Sequence, residues 1–350
     1  KVGALEESIT VSTAAPIVDV SSTVHTQVLN RDTLDALPTG RTIQGLGQLV
    51  VGIALNIPDV GGSRAMQQTY MSTHGMTTAN TTILVDGMMV NGLQADGAVQ
   101  SYFNDSMNQE VSYQTSGIGA DTSAGGVRLN MIPREGGNRF SGSFFSSWKE
   151  GRWQGDNFTQ ELRDRGLTSP SAIDPILDFN ASQGGPIKKD KLWFFATARY
   201  WSVDAPIAGA EYLGTANCSE RGGRLTSNNV GQEICQGIDD QAIKSALARV
   251  TWQISPKNKF SAYFDEIDKF RGHAMSVGDD PETASVVWHS PAYHTTAMKY
   301  TSTISSRLLF EAGASNNTEN YTNEYQEGIE RTRGTAEWYA SAPRRDLDLV

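Results

Sequence analysis

Residues 246–254 read Ala-Leu-Ala-Arg-Val-Thr-Trp-Gln-Ile, and apolar residues occupy every second position. Arg249, Thr251 and Gln253 fall between them. Successive side chains of a β-strand point to opposite faces of its sheet, so this alternation predicts a strand with one apolar and one polar face.

The same alternation recurs, with varying regularity, in other segments on both sides of this strand. They are residues 140–148, 177–182, 192–201, 260–268, 297–304 and 308–315. In the first of them, Phe140, Phe144 and Trp148 share one face and serines share the other. Together with residues 246–254, these segments give seven predicted strands.

The links between the predicted strands alternate in length. Long polar links span residues 149–176, 202–244 and 271–295, and short links span residues 186–191, 255–258 and 305–307. Transmembrane barrels combine tight turns at one end with long loops at the other, whereas soluble sandwiches mix loop lengths at both ends. The pattern favours a membrane barrel, with a soluble sandwich as the alternative. Aromatic residues near the strand ends suit the interfacial girdles of a barrel: Trp148, Trp193, Tyr200, Trp201, Trp252 and Phe260.

Composition narrows the function classes. The net charge of -10, the pI near 5.0 and the lack of a Lys/Arg cluster exclude nucleic acid as a partner. No apolar run approaches the roughly 18 residues that a membrane-spanning helix needs, although barrel strands escape that test. The chain starts in a strand-like segment without a signal peptide, so we expect a piece of a longer protein.

Residues before about 135 follow a different pattern. Residues 31–50 carry helix signals, with Asp32 and Thr39 as candidate N-caps, and residues 82–85 form a short apolar strand. The change of pattern falls at residues 133–138, Pro-Arg-Glu-Gly-Gly-Asn. We therefore predict a mixed α+β domain followed by an antiparallel transmembrane β-barrel.

Short motifs occur in a fixed order along the chain. They are Leu-Glu-Glu-Ser-Ile-Thr-Val at 5–11, Asp-Ala-Leu-Pro at 35–38, Ile-Leu-Val-Asp-Gly at 83–87, Ala-Gly-Gly-Val-Arg-Leu-Asn-Met-Ile at 124–132 and Ser-Gln-Gly-Gly-Pro-Ile-Lys-Lys-Asp-Lys-Leu-Trp-Phe-Phe-Ala at 182–196. In order and spacing they resemble the TonB-dependent outer-membrane receptors, within them the Oar-like group that carries an N-terminal carboxypeptidase-regulatory-like domain. Residues 70–77 depart from the Ile-Arg-Gly strand that many members show there.

The resemblance implies a domain organisation. Residues 1–11 would hold the end of the regulatory-like domain and the TonB box, residues 12–135 the plug domain, and residues 136–350 the N-terminal part of the barrel. The barrel part would supply about seven of about 22 strands.

The resemblance also implies a transporter in the bacterial outer membrane, in contact with outer-membrane lipid and lipopolysaccharide. It would take up a siderophore, cobalamin, a glycan or a peptide, energised by TonB with ExbB and ExbD. A segment that adds a strand to a partner's sheet edge gains affinity through its main chain, and the TonB-interacting residues would be Glu7, Ser8, Ile9, Thr10 and Val11. The alternative is a surface protein of the same fold that acts in adhesion or protein export.

Plug-motif residues are expected to have structural roles. Asp86 and Gly87 end an apolar strand in a turn, and Gly125 and Gly126 fit either a tight turn or a close backbone approach before the strand that holds Asn130.

Other chemistry-bearing residues point to no catalysis. The chain lacks nucleophile-elbow, zinc-helix and phosphate-loop motifs, so it is not expected to be an enzyme or to need a cofactor. Cys218 and Cys235 share one polar stretch and could form a loop disulfide. Three groups of residues are candidate metal ligands, but core or solvated roles are favoured for them. They are a methionine-rich group with one histidine (Met66, Met71, His74, Met76, Met88, Met89), a set of loop histidines (His273, His289, His294) and two acidic pairs (Asp239 with Asp240, Asp279 with Asp280).

Overall fold

A computed structural model of the chain describes residues 23–37, 39–57, 62–63, 69–91, 102–120, 122, 125–327, 329 and 334–341. The predicted TonB box, with Glu7 to Val11, lies outside these residues, as do Pro38, Met66 and Ala124. Among the described residues, no helix is long and apolar enough to cross a bilayer.

The N-terminal part is a small mixed sheet with two short helices. Its elements are β1 (His25–Asn30), α1 (Arg31–Ala36), α2 (Ile43–Gly47), β2 (Ile53–Leu55), β3 (Met71–Thr73), β4 (Thr82–Val85), β5 (Met88–Met89), β6 (Asn108–Ser116) and β7 (Arg128–Pro133). Five strands pair in the order β1-β6-β7-β4-β5, in which β4 runs parallel to β7, and β2 pairs separately with β3. This is the predicted α+β unit.

The predicted helix signals are correct in region, but the two predicted N-caps are wrong. Asn30 caps α1 by accepting a hydrogen bond from Thr33 N, and Thr42 caps α2 by accepting from Gly45 N. Asp32 lies inside the first turn of α1, and Thr39 instead accepts from Arg41 N. A cap needs extended backbone and a side chain that reaches back to the third helical N–H, and only Asn30 and Thr42 meet both conditions.

The C-terminal part is one large sheet of antiparallel neighbours. Its elements are β8 (Ser141–Lys149), α3 (Gln160–Asp164), β9 (Ile176–Lys188), β10 (Leu192–Tyr212), β11 (Gly223–Ser227), β12 (Glu233–Ser255), β13 (Asn258–Ala274), β14 (Val286–Ser305), β15 (Leu308–Thr318), β16 (Thr322–Tyr325) and α4 (Ala336–Ser341). The nine-stranded sheet has the order β15-β14-β13-β12-β10-β9-β8, with β11 beside β12 and β16 beside β14.

All seven predicted strands are present, but several are longer than predicted. Much of the predicted link 202–244 is strand, because β10 continues to Tyr212 and β12 begins at Glu233. The link 271–295 is shortened in the same way by β13 and β14. β11 and β16 were not predicted. β11 and β16 are short, mostly polar segments without apolar alternation, so their sequences do not indicate a strand. Backbone hydrogen bonds pair β11 with β12 and β16 with β14.

The large sheet turns its apolar face outward. On β12, Val250, Trp252 and Ile254 are 40%, 47% and 44% exposed, whereas Arg249 and Thr251 are 2% and 1% exposed. A soluble sheet would bury the apolar face, so this inverted arrangement is that of a strand whose outer face meets lipid.

The polar face of the large sheet covers the N-terminal part. Leu247, Tyr263 and Ala297 of the large sheet join a core cluster with residues of the small sheet such as Val85 and Met131. The two parts therefore share one packed contact, which is apolar at its centre.

Cys218 and Cys235 form a disulfide that closes the hairpin between β10 and β12. Gly223 packs so closely on it that an added Cβ would lie 2.4 Å from Cys235 Sγ. Tyr212 closes the other side by donating a hydrogen bond to Arg221 O at 2.5 Å.

Replacing both cysteines by alanine is expected to destabilise this hairpin locally by about 3 kcal/mol, because the bond spans 17 residues and a loop of this size loses roughly that much chain entropy when it is closed. The measurement is the rate of trypsin cleavage at Arg221 and Arg224, which should rise in the variant. Cleavage after Arg307, in the β14–β15 turn, serves as the internal control and should not change. Equal cleavage of the hairpin with and without the bond would show that the disulfide is dispensable for its order.

Candidate functional site

The turn between β4 and β5 is formed by two of the predicted motif residues. Asp86 and Gly87 both have positive φ, 54° and 81°, as tight hairpin turns require. The side-chain oxygen of Asn130 accepts a hydrogen bond from Gly87 N at 3.0 Å, and Asp86 N donates to Met131 O at 2.9 Å. The structure thus brings Asp86, Gly87 and Asn130 together.

The glycine pair of the same motif lies apart from this turn. A Cβ on Gly126 would lie 2.6 Å from Asn80 O, so the backbone approaches too closely there for any side chain. Gly125 is less restricted, since its nearest neighbour is the side chain of Met76 at 3.4 Å.

The Asp86–Gly87 turn is held by a cation from the large sheet. Arg249 on β12 lies 3.0 Å from the carboxylate of Asp86 and 3.2 Å from that of Glu135, and its side chain is only 3% exposed. Lys259 on β13 also bonds Glu135. The alternation in residues 246–254 places Arg249 on a polar face but does not indicate its partners, because the residues that it joins are far apart in the chain.

A second arginine of the large sheet contacts the N-terminal part through its backbone. Arg199 on β10 makes two hydrogen bonds with the carboxylate of Asp178 on β9, at 2.9 and 2.7 Å, and both side chains are buried. Its remaining donors reach Arg41 O at 3.3 Å and Gly40 O at 3.5 Å. Asp178 therefore orients the guanidinium of Arg199, which binds backbone carbonyl oxygens of the segment between α1 and α2.

A pair of amides adds a third polar contact between the two parts. Asn104 and Asn180 donate to each other's side-chain oxygens, at 3.0 and 2.6 Å, and both are buried. Because each side-chain amide both donates and accepts, the pair provides hydrogen-bond partners for both side chains and fixes the position of Asn104 relative to Asn180.

Within the N-terminal part, an ion cluster stabilises the start of α1. Arg31 bonds Asp35 at 2.7 Å and Asp105 at 3.0 Å, and Arg41 lies 3.4 Å from Asp105. Burial raises the pKa of Asp35, but the hydrogen bond and charge of Arg31, helped by Arg41, lower this pKa overall. The carboxylate form of Asp35 is therefore favoured in the folded state.

At the opposite end of the strands, Lys269 is enclosed by aromatic rings. Its ammonium lies 4.7 Å from the ring centres of Trp288 and Tyr293 and 5.3 Å from that of Tyr102. Tyr102 belongs to the N-terminal part and also meets Trp201 edge-on. A cation and an aromatic ring at such distances attract each other with about 0.5–2 kcal/mol. The Lys269 cluster therefore joins both parts of the chain.

The predicted metal-ligand candidates do not converge. Among the described residues, no group of three or more His, Cys, Asp or Glu side chains could hold a metal ion. His273 bonds Asp240, His289 bonds Asp268, and His294 stacks on Phe264. Met71 is buried in the core, whereas Met76 and Met89 are exposed.

The chain is similar in sequence to a curated transporter. No family model matches the chain. The chain is 32% identical over 208 residues to the TonB-dependent transporter Oar of Myxococcus xanthus, a match that covers 55% of this chain and 18% of that protein. The chain thus corresponds to about a fifth of the relative's length.

Solved structures share the fold at low sequence identity. The outer membrane transporter YddB of Escherichia coli aligns with a TM-score of 0.61 and 12% identity over 85% of this chain and 39% of its own. A variant of the ferric enterobactin receptor of Pseudomonas aeruginosa aligns with a TM-score of 0.54 and 13% identity over 91% and 44%. The siderophore receptor PirA of the same organism gives 0.52 and 12% over 85% and 41%.

These likenesses agree with the geometry described above. The coverage of about two fifths of the solved chains matches a small mixed sheet followed by part of a barrel. The relative and these solved proteins are named as transporters and receptors. In sequence the chain is similar to the TonB-dependent transporter Oar, and its fold, a small mixed sheet followed by part of a β-barrel, is shared with outer-membrane transporters and receptors of known structure.

Proposed function

We propose that the chain is part of an active importer of the outer membrane, energised through TonB with ExbB and ExbD. The observation that carries the proposal is the nature of the contact between plug and barrel wall. Around the apolar centre of this contact, Arg249, Arg199 and Asn180 of the wall bind the plug through ion pairs and hydrogen bonds, whose groups can exchange their partners for water. A plug held this way can be rearranged by force without unfolding the barrel.

The domain limits proposed are residues 12–135 for the plug and 136–350 for the barrel, with the TonB box before them. The small sheet ends at Pro133 and the large sheet begins at Ser141, which supports the boundary. The short turns of the large sheet would face the periplasm and the long hairpins the cell exterior, as in bacterial barrels. Outward aromatic and apolar side chains would contact lipid and lipopolysaccharide.

The test of TonB coupling uses Ile9 in the box. A single cysteine at Ile9 should crosslink in cells to cysteines placed in the strand-pairing region of TonB, since a box strand would add to the edge of TonB's sheet. The same cysteine at Val51, an exposed plug position outside the box, is the control. If Ile9→Cys crosslinks no more than the control while the protein is in the outer membrane, the TonB-coupled reading is wrong.

The ligand belongs to the siderophore, cobalamin, glycan or peptide classes, and ferric enterobactin is the first probe because a structural neighbour is a receptor for it. Uptake of the labelled chelate should require both the receptor and TonB. Binding without uptake would point to the alternative function.

A second candidate function is adhesion or protein export by the same fold. It is favoured by the disulfide-closed hairpin, which exposes Leu213, Leu225 and Val230 by 67%, 49% and 72%. Rigid apolar side chains on an outer loop suit a protein partner better than a small chelate. A protein bound through this hairpin, lost on Leu213→Ser with Val230→Ser, would support it.

Acidic residues at the proposed outer rim give a pH-dependent prediction. A barrel strand crosses the hydrocarbon in about 9–11 residues, so Asp204 lies beyond the crossing that begins at Leu192. Burial, followed by the charges of Asp240, Asp174 and Asp239, raises the pKa of Asp204 to about 6. The folded state then holds a proton that the unfolded chain releases, so stability falls as pH rises from about 4 to 6.

Asp204→Asn is therefore expected to raise the unfolding temperature by about 2 °C at pH 7.5, since a half-exposed carboxylate contributes under about 1 kcal/mol, and to change little at pH 3. Thermal scans of the detergent-solubilised receptor at both pH values measure it. Asp268→Asn is the matched control, because Asp268 faces His289 and Lys244 and should gain nothing on neutralisation. A gain of the same size at pH 3 would contradict the titration of Asp204.

A further inference from the structure

One carboxyl group of the barrel wall is buried without a hydrogen-bond donor among the described residues. Asp265 on β13 is 1% exposed, and neither of its carboxylate oxygens is bonded there. The arginine on the neighbouring strand, Arg249, pairs with Asp86 and Glu135 instead. The great majority of buried polar groups in proteins have a partner, so this exception calls for an explanation.

Asp265 lies at the apolar centre of the contact between wall and plug. Burial alternates along β13, and Tyr263, Asp265 and Ile267 share its buried face. On the neighbouring strands, Asp265 lies opposite Leu247 of β12 and Thr295 of β14. Tyr263 and Leu247 belong to the core cluster that also contains plug residues. The docked plug therefore shields this part of β13, including Asp265, from water.

Four hydroxyl groups on the same face of the wall also lack partners within the part of the chain that the structure describes. They belong to Thr197 on β10, Ser245 and Thr251 on β12, and Tyr263 on β13, and all four side chains are buried. These three strands are neighbours in the sheet. The wall thus offers the docked plug a polar surface that the plug does not bond.

Docking the plug over Asp265 has a free-energy cost in either protonation state. A carboxylate buried without a cation or a donor is an uncompensated charge, and a neutral acid still loses the hydrogen bonds that it makes to water. Water regains access to Asp265 when the plug moves off the wall, and the cost is then removed. Asp265 therefore favours the displaced plug, whereas the bonds of Arg249, Arg199 and Asn180 favour the docked one.

We propose that Asp265 is a release element of the plug, a buried carboxyl group that lowers the work needed to move the plug off the barrel wall. The four unbonded hydroxyl groups act in the same direction, because each of them regains hydrogen bonds to water on displacement. This role rests on the proposed function, since displacement of the plug has a purpose only in a working importer. The experiment needs neither TonB nor a transported ligand, so the two can fail separately.

The test is hydrogen exchange of the plug amides of Leu84 and Val85 in the full-length receptor purified in detergent. Asp265→Asn keeps the shape of the side chain and removes the acid, so exchange should become slower by about tenfold or more. Tyr263→Phe removes only an unbonded hydroxyl and should slow exchange by a smaller factor. Glu266→Gln is the matched control, because Glu266 is the next residue of β13 and is exposed on its opposite face. Exchange in this control should stay within about twofold of the unaltered receptor.

The sign of the change separates a release element from a structural residue. If Asp265 stabilised the docked plug through a bond of its own, to ordered water for instance, Asp265→Asn would speed exchange, as most changes at buried positions do. Faster or unchanged exchange in Asp265→Asn overturns the proposal. Loss of folding in this variant, seen as loss of the heat-dependent mobility shift on a detergent gel, overturns it as well, because the carboxyl group would then support the structure. Slower exchange with an unchanged Glu266→Gln control is the expected result.

Discussion

Arg249→Met is expected to weaken the docking of the plug by about 3 kcal/mol, because breaking a buried ion pair leaves an uncompensated charge. Asp86, whose side chain is 14% exposed, would lose its counter-charge, whereas Glu135 would keep Lys259. The measurement is hydrogen exchange of the β4 amides of Leu84 and Val85, since local opening free energies are read directly from protection. These amides should exchange about a hundredfold faster, as about 3 kcal/mol implies.

The control for this prediction is Lys259→Met. It leaves Glu135 paired with Arg249 and removes a partly exposed contact, so protection should change by less than about 1 kcal/mol. Combining Arg249→Met with Asp86→Asn should recover most of the protection, because the orphaned charge is gone and asparagine tolerates the positive φ of this turn. Unchanged exchange in Arg249→Met would show that the pair does not hold the plug.

Arg199→Met is expected to destabilise both the barrel wall and the plug segment at Gly40 and Arg41, by about 3–5 kcal/mol in total. Asp178 would remain buried between two strands without a cation, and the two carbonyl oxygens would lose their donors. The temperature at which the folded band disappears on a detergent gel should fall by several degrees. Protease cleavage after Arg41 should rise at the same time.

Two further variants separate charge from geometry. Arg199→Lys keeps the charge but cannot make the two-pronged contact with Asp178 and reach both carbonyls, so an intermediate loss is expected. Arg199→Met with Asp178→Leu removes both charges and should restore the barrel midpoint, while cleavage at Arg41 stays high. If the double variant were no more stable than Arg199→Met, the pair would not be the source of the effect.

The barrel strands were predictable because a two-residue period is written directly into the chain. Residues 246–254 show it, and their apolar face is exposed in the structure, as a lipid-facing strand requires. The upper parts of β10 and β12 were not predicted, because Pro206 and Gly209 interrupt the alternation in β10 and the polar run at residues 239–241 interrupts it in β12. Backbone pairing with neighbouring strands holds them extended, and pairing partners are not a local property of sequence.

In the plug, too, some features follow from local sequence and others only from the fold. The strand at residues 82–85 and the turn residues Asp86 and Gly87 were found from local preference, because apolar runs and positive φ have their own residue signatures. The N-caps were misassigned, since several polar residues near α1 and α2 could have served and only backbone geometry selects Asn30 and Thr42.

The sequence by itself determined the number and faces of the central barrel strands, the order of plug and barrel, and the residues of the Asp86–Gly87 turn, because each depends on short-range periodicity or backbone preference. Only the tertiary structure decided that Arg249 meets Asp86, that Arg199 reaches Gly40 and Arg41, and that Lys269 lies among rings from both domains. Those contacts join residues more than a hundred positions apart. Charge and hydrogen-bonding groups act on whatever the fold brings within a few ångströms, and a linear pattern does not encode that proximity.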